Sequence, residues 1–168
     1  MPNAAAPTTG AGDASEASRT PMFTGRHRPK VDDKRRVQVP SEWRGGRLGG
    51  IRFLFVPQDR GGVEAAFVKV LPEHRVERLY DRLNALDEFD EDADALRRTV
   101  GADSVLVETD NAGRVCLPDE MARAAGLNGE VLLVGAVTHF EIWPAARGDA
   151  ALAADRPRAQ ARRRDLKI

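Results

Sequence analysis

At 168 residues the chain has room for one domain or two small ones, and its 26 Lys and Arg cancel its 26 Asp and Glu. Zero net charge excludes polyanion binding through bulk basicity, so any nucleic-acid partner must meet segregated charge. A single cysteine excludes an intrachain disulfide and fits a reducing compartment. No apolar run approaches the roughly 20 residues of a membrane span, and the 5% aromatic content leaves a small core that oligomer contacts would extend.

Residues 1–21 are a low-complexity lead of Ala, Thr, Gly, Ser and Pro without an apolar core segment. That composition predicts a disordered tail and not a signal peptide. Residues 22–71 form a first unit. Thr24 to Val31 is extended and broken by Pro29, which predicts an edge strand at most. Val37 and Val39 alternate around Gln38, as in a short half-buried strand. Pro40 ends it, Ser41 to Trp43 start a short helix, and the glycines from Gly45 onward stop it. Ile51 to Val56 and Ala66 to Leu71 read as two strands around a Gly-rich turn region spanning Pro57 to Glu64.

Residues 72–103 form a helical linker. Pro72 opens a helix in which Val76, Leu79, Tyr80, Leu83 and Leu86 recur at helical spacing, predicting one buried stripe. The acid-rich run Asp87 to Asp94 suits the start of a second helix and Arg97-Arg98 its end. Carboxylates without a Gly-centred loop are not a calcium site, so that run reads as a solvated helix start. Residues 104–143 repeat the first plan. Val105 and Val107, then Val115 and Leu117, alternate as strands. Pro118 and Asp119 begin a helix that Gly126 stops, and Val131 to Gly135 and Phe140 to Trp143 are two further strands. Trp43 and Trp143 read as core or interface anchors. Residues 144–168 are rich in Ala and Arg and read as a basic, disordered tail, at most weakly helical.

Two segments along this path are versions of one motif. Asp32-Asp33-Lys34-Arg35-Arg36-Val37-Gln38-Val39-Pro40 matches Asp110-Asn111-Ala112-Gly113-Arg114-Val115-Cys116-Leu117-Pro118 at Asp, at Arg, at the two flanking apolar positions and at Pro. The physics is local. An Asp accepts hydrogen bonds from backbone N–H groups two or three residues on and tightens a turn. A Gly supplies positive φ without steric cost. The following Arg carries a fork of donors suited to phosphate or guanine. A single copy describes an ordinary hairpin turn with a solvated arginine. Two copies in register, each followed by Pro, a short helix and a strand pair, describe a duplicated unit.

This order resembles the AbrB/SpoVT swapped-hairpin DNA-binding unit, and its tandem form resembles the MraZ family of bacterial transcriptional regulators. The resemblance rests on both motifs, on Met22-Phe23-Thr24-Gly25, on Ala124-Ala125-Gly126-Leu127, and on Val131-Leu132-Leu133-Val134-Gly135 with Phe140-Glu141-Ile142-Trp143. It covers roughly residues 22–143. It implies an α+β, β-rich fold: a tandem, pseudo-twofold, swapped-hairpin double barrel with short helices and a helical linker. It also implies a ring-shaped homo-oligomer that binds double-stranded DNA at short direct repeats of a promoter, in the cell-division and cell-wall gene cluster. The expected DNA contacts are Arg36, Lys34 and Arg35 in the first turn, Arg26 and Arg28 on the preceding strand, and Arg114 in the second turn. The family's first motif carries Gly where this chain has Arg35, which costs strain if the site needs positive φ. Ala112 stands where a longer polar or basic residue is usual, so the second turn should grip DNA less.

No zinc pattern, nucleophile elbow or phosphate-binding Gly loop is present in the sequence, so no cofactor, small-molecule substrate or enzymatic activity is expected. The expectation is a cytoplasmic, nucleoid-associated protein without a membrane partner. Two other readings fit the same fold: a scaffold that lost promoter reading, and an antitoxin-like regulator using its Arg-rich tail to hold a partner. Three consecutive cations at 34–36 disfavour the scaffold, and the tandem repeat disfavours the antitoxin.

Overall fold

The computed structural model describes residues 20–168, so all but the end of the expected N-terminal tail lies outside the described residues. Eight strands form in chain order: β1 (Arg26–His27), β2 (Arg36–Gln38), β3 (Arg52–Arg60), β4 (Val63–Pro72), β5 (Val105–Glu108), β6 (Arg114–Cys116), β7 (Val131–Gly135) and β8 (Phe140–Pro144). Four α-helices join them: α1 (Glu73–Asn84), α2 (Glu91–Asp103), α3 (Asp119–Ala125) and α4 (Ala145–Leu166). A 3-10 turn covers Ser41–Arg44. The fold is therefore α+β. Six strands make one antiparallel sheet in the order β1-β7-β8-β4-β3-β5, and β2 and β6 pair with each other apart from it.

The core lies between that sheet and the β2–β6 ribbon. Phe23, Trp43, Phe53 and Phe140 are buried together, with ring centroids 5.1–5.8 Å apart. The Trp43 indole N–H donates to the Thr24 carbonyl at 3.0 Å, which ties the chain entering the sheet to the 3-10 turn. Trp143 anchors a second cluster, stacked on Phe67 at 4.0 Å.

Four expectations need correction. The β3–β4 hairpin is longer than the turn-rich segment Pro57 to Glu64 predicts. Its loop is only Gly61-Gly62, both at positive φ (59° and 78°), the combination that matches strand twist. Pro57 is tolerated within β3 because β5 pairs only as far as Phe55, leaving that edge of β3 open. In α1 no residue is fully buried. Val76, Leu79, Leu83 and Leu86 are half-buried, and Tyr80 is 67% exposed. Arg97 does not serve the end of its own helix. It donates to the carbonyls of Leu83 (3.0 Å) and Leu86 (2.7 Å) and so satisfies the end of α1.

The fourth correction is the C-terminal segment, which is the long helix α4 where a disordered tail is expected. Its first half docks. A Cβ on Gly148 would lie 2.8 Å from Leu132 and Trp143, so only Gly permits that approach. Arg147 donates to the Ala66 carbonyl at 2.9 Å, Asp149 pairs with Arg28, and Asp155 takes both Arg60 terminal nitrogens at 2.7 and 3.1 Å. The Arg147-Gly148-Asp149 tripeptide is thus a packing device. Ala and Arg are strong helix formers and carry the second half onward without tertiary support.

Candidate nucleic-acid interface

The two motifs meet. In the β2–β6 ribbon Arg36 pairs with Cys116, Val37 with Val115, and Gln38 with Arg114. Alternation sends Val37 and Val115 inward, where both are buried. It leaves Arg36, Gln38, Arg114 and Cys116 on the opposite face. The two turn tips sit at opposite ends of this ribbon.

Each tip is built by one carboxylate. Asp32 Oδ1 accepts from the N–H of Lys34 (3.0 Å) and of Arg36 (2.7 Å), while Oδ2 accepts from Arg36 Nε at 2.7 Å. Asp110 repeats this with Ala112, Arg114 and Arg114 Nε, each at 2.9 Å. These bonds, led by the backbone N–H of the arginine, hold both carboxyls below their ordinary pKa. Each aspartate therefore stays ionised and fixes its arginine through Nε. The terminal guanidinium nitrogens are left for other acceptors, and both side chains are about one-third exposed.

The position before each arginine is left-handed: φ is 59° at Arg35 and 77° at Gly113. The two ends accommodate this differently. Arg44 is buried and donates from Nε to the Val39 carbonyl at 3.0 Å, with its guanidinium beneath Gly113. At the other end the residue matching Arg44 is Ala122, and Arg35 itself supplies the guanidinium. Its Nε donates to the Leu117 carbonyl at 3.4 Å, and Nη1 lies 3.6 Å from Asp119. One end has Arg in the short helix facing Gly in the opposing turn. The other has Ala122 in the helix and Arg in the turn. The left-handed arginine thus donates to the Leu117 carbonyl as Arg44 donates to the Val39 carbonyl.

The remaining sequence candidates separate. Lys34 is exposed and has no carboxylate partner among the described residues, and Arg26 is exposed on edge strand β1. Arg28 is spoken for, paired with Asp149 and, at 3.4 Å, with Glu130. Sequence reasoning missed Gln38 and Cys116 on the ribbon and Arg44 in the 3-10 turn beside it. Gln38 Nε2 reaches the carbonyls of Ala112 (3.0 Å) and Gly113 (3.2 Å), closing the second tip. The in-register alignment of the motifs contained the signal for Gln38 and Cys116, since both occupy the variable position between the flanking apolar residues. Among the described residues no group of His, Cys, Asp and Glu could hold a metal ion, and no helix is long and apolar enough to cross a membrane.

Comparison with known proteins matches residues 101–167 to a family described as "MraZ protein, putative antitoxin-like". The chain is 37% identical to the transcriptional regulator MraZ of Parvibaculum lavamentivorans, covering 72% of this chain and 74% of that one. It is 33% identical to the protein of the same name from Thermomicrobium roseum (73% and 81% covered), and 32% identical to that from Mycobacterium leprae (74% and 82% covered). All three are named as transcriptional regulators, which are not enzymes.

Proposed function

The chain belongs to the MraZ family of transcriptional regulators, and on that premise we propose that it binds double-stranded DNA through the outward face of the β2–β6 ribbon. The observation that carries this reading is the duplicated Asp–Arg clamp: two guanidiniums fixed through Nε at opposite ends of the ribbon, with terminal donors that have no protein acceptor among the described residues. A major groove admits a two-stranded β-ribbon, and a guanidinium pairs bidentately with guanine. Arg36 and Arg114 are the base-reading candidates. Lys34 and Arg26 are phosphate contacts that set register. Arg35 adds charge at the first tip while serving mainly to support the Leu117 carbonyl. Arg28, already neutralised, contributes least.

The ribbon is the centre of a tandem swapped-hairpin double barrel. The protein acts as a ring-shaped oligomer in which each subunit holds one short direct repeat. Several weak contacts then combine through effective concentration. The target is the promoter of the cell-division and cell-wall gene cluster, which places the protein at the nucleoid. A scaffold or antitoxin-like role would leave the cation at Lys34, unpaired among the described residues, and the outward terminal nitrogens of Arg36 without a purpose. The test is titration of the assembled protein onto its own upstream DNA against a scrambled duplex at two salt concentrations. Specific binding that weakens steeply with salt supports the reading, and equal affinity for both duplexes opposes it.

A further inference from the structure

Helix α1 carries opposite charge on its two flanks. Residues three and four apart share a helix face, so Glu73, Glu77 and Asp81 form one row and Arg75, Arg78 and Arg82 another. Beside the acidic row lies a cleft of about 530 Å³ floored by Val76, Tyr80 and Leu106. Tyr80 is 67% and Leu106 61% exposed, and Leu106 lies on β5, the open edge of the six-stranded sheet. Beside the basic row lies a cleft of about 260 Å³ floored by Val56, Leu71, Leu79 and Val100, with Lys69 adding a fourth cation. Among the described residues only Glu73 of all these charges has an ion-pair partner, Arg52.

Such an arrangement is unfinished in one copy. An apolar edge strand with exposed backbone groups is a template for association, and paired apolar clefts of this kind mark contact surfaces. We propose that the acidic flank of α1, with Tyr80 and Leu106, seats against the basic flank and its apolar cleft on a second copy, head to tail. The two flanks complement each other: three carboxylates on one side of the helix, three guanidiniums on the other, each beside an apolar floor. A contact that seats one flank on the same flank of the second copy would set like charge against like, which is strongly unfavourable. A heterologous contact sets unlike charges together and can close into a ring. The half-burial of the α1 stripe in one copy follows, since the helix has two further faces to cover. This inference rests on the ring assembly proposed above and names the surface that makes it.

The test uses two full-length variants, Arg78→Glu/Arg82→Glu and Glu77→Arg/Asp81→Arg, in sedimentation velocity at micromolar concentration. The parent should sediment as a multiple of 18.4 kDa. Each variant alone presents like charge on both flanks and should fall to the monomer mass. An equimolar mixture should reassemble, because acidic and basic subunits then alternate. Far-UV circular dichroism checks that each variant is folded. The milder Arg78→Gln/Arg82→Gln pair should raise the concentration for half-assembly at least tenfold. Reversed variants that assemble alone like the parent, or a mixture that stays monomeric, would overturn the contact while leaving a ring intact. A monomeric parent would overturn both.

Discussion

Arg44 and Gly113 occupy one space from opposite halves of the chain: a Cβ added to Gly113 would lie 2.7 Å from both Cζ and Nε of the buried Arg44 guanidinium. Gly113→Ala should therefore cost more than the ~1–2 kcal/mol of a left-handed alanine, because Arg44 must also shift from its carbonyl partners. Arg44→Ala should cost about 1–3 kcal/mol by removing the shorter of the two donors to the Val39 carbonyl, the other being Gln38 Nε2 at 3.4 Å. The double variant should cost clearly less than the two single costs combined, since the smaller side chain makes room for the methyl group. Urea unfolding of the four proteins measures this coupling. Strict additivity would separate the two residues.

Arg35 should behave differently from its counterpart. Arg35→Gly removes about 1 kcal/mol of left-handed strain but also removes a half-exposed guanidinium from the Leu117 carbonyl and Asp119. The two effects oppose each other, so stability should move by less than about 1 kcal/mol. The salt dependence of DNA binding should become only slightly shallower. A drop as large as that of Arg44→Ala would give Arg35 a buried structural role.

Much of this was legible in the chain itself. The Asp-to-Pro repeat marked both turns, and the alternation of Val37 and Val39 and of Val115 and Leu117 marked both strands. The left-handed need at Arg35 follows from its alignment with Gly113. What stayed hidden depended on contacts across the chain. That β2 pairs with β6 is a long-range fact, so the shared outward face of Arg36 and Cys116 had no local signature. Arg28 looked available until Asp149 arrived on α4. The helix itself escaped because Ala and Arg give no apolar stripe to recognise, and its docking rests on Gly148, Asp149 and Asp155. The periodicity of Val76, Leu79, Leu83 and Leu86 marked the right face of α1, but periodicity does not say how deeply one copy buries it.

Cys116 is the only cysteine and is exposed beside Arg36. A maleimide should label it readily in the free protein and at least tenfold more slowly when specific DNA is bound, and the labelled protein should bind that DNA weakly. Equal labelling with and without DNA would remove the ribbon face from the interface.

The Arg60–Asp155 pair that helps to dock α4 should loosen in acid. Arg60 holds the Asp155 carboxyl below its ordinary value of 3.8, through its hydrogen bonds first. A carboxyl depressed in the fold stabilises it fully above the unfolded value, and that contribution is lost as pH falls through the lowered folded value. Arg60 also lies 5.7 Å from the centre of the Trp143 ring, so Trp143 emission should report the change. The emission should stay constant from neutrality to about pH 5, well above the carboxylate range, and shift only below it. Asp155→Asn should show the shifted emission already at neutral pH.

The most direct test of the account is the affinity of assembled Arg36→Ala protein for its upstream DNA, measured by fluorescence anisotropy beside the parent and Arg114→Ala. A bidentate base contact is worth about 1–3 kcal/mol and would be repeated around the proposed ring, so Arg36→Ala should lose specific binding while remaining folded and assembled. Arg114→Ala should lose less, because its tip carries Ala112 and Gly113 in place of cations. An Arg36→Ala protein that binds its own upstream DNA as tightly and selectively as the parent would contradict the ribbon as the DNA-reading surface.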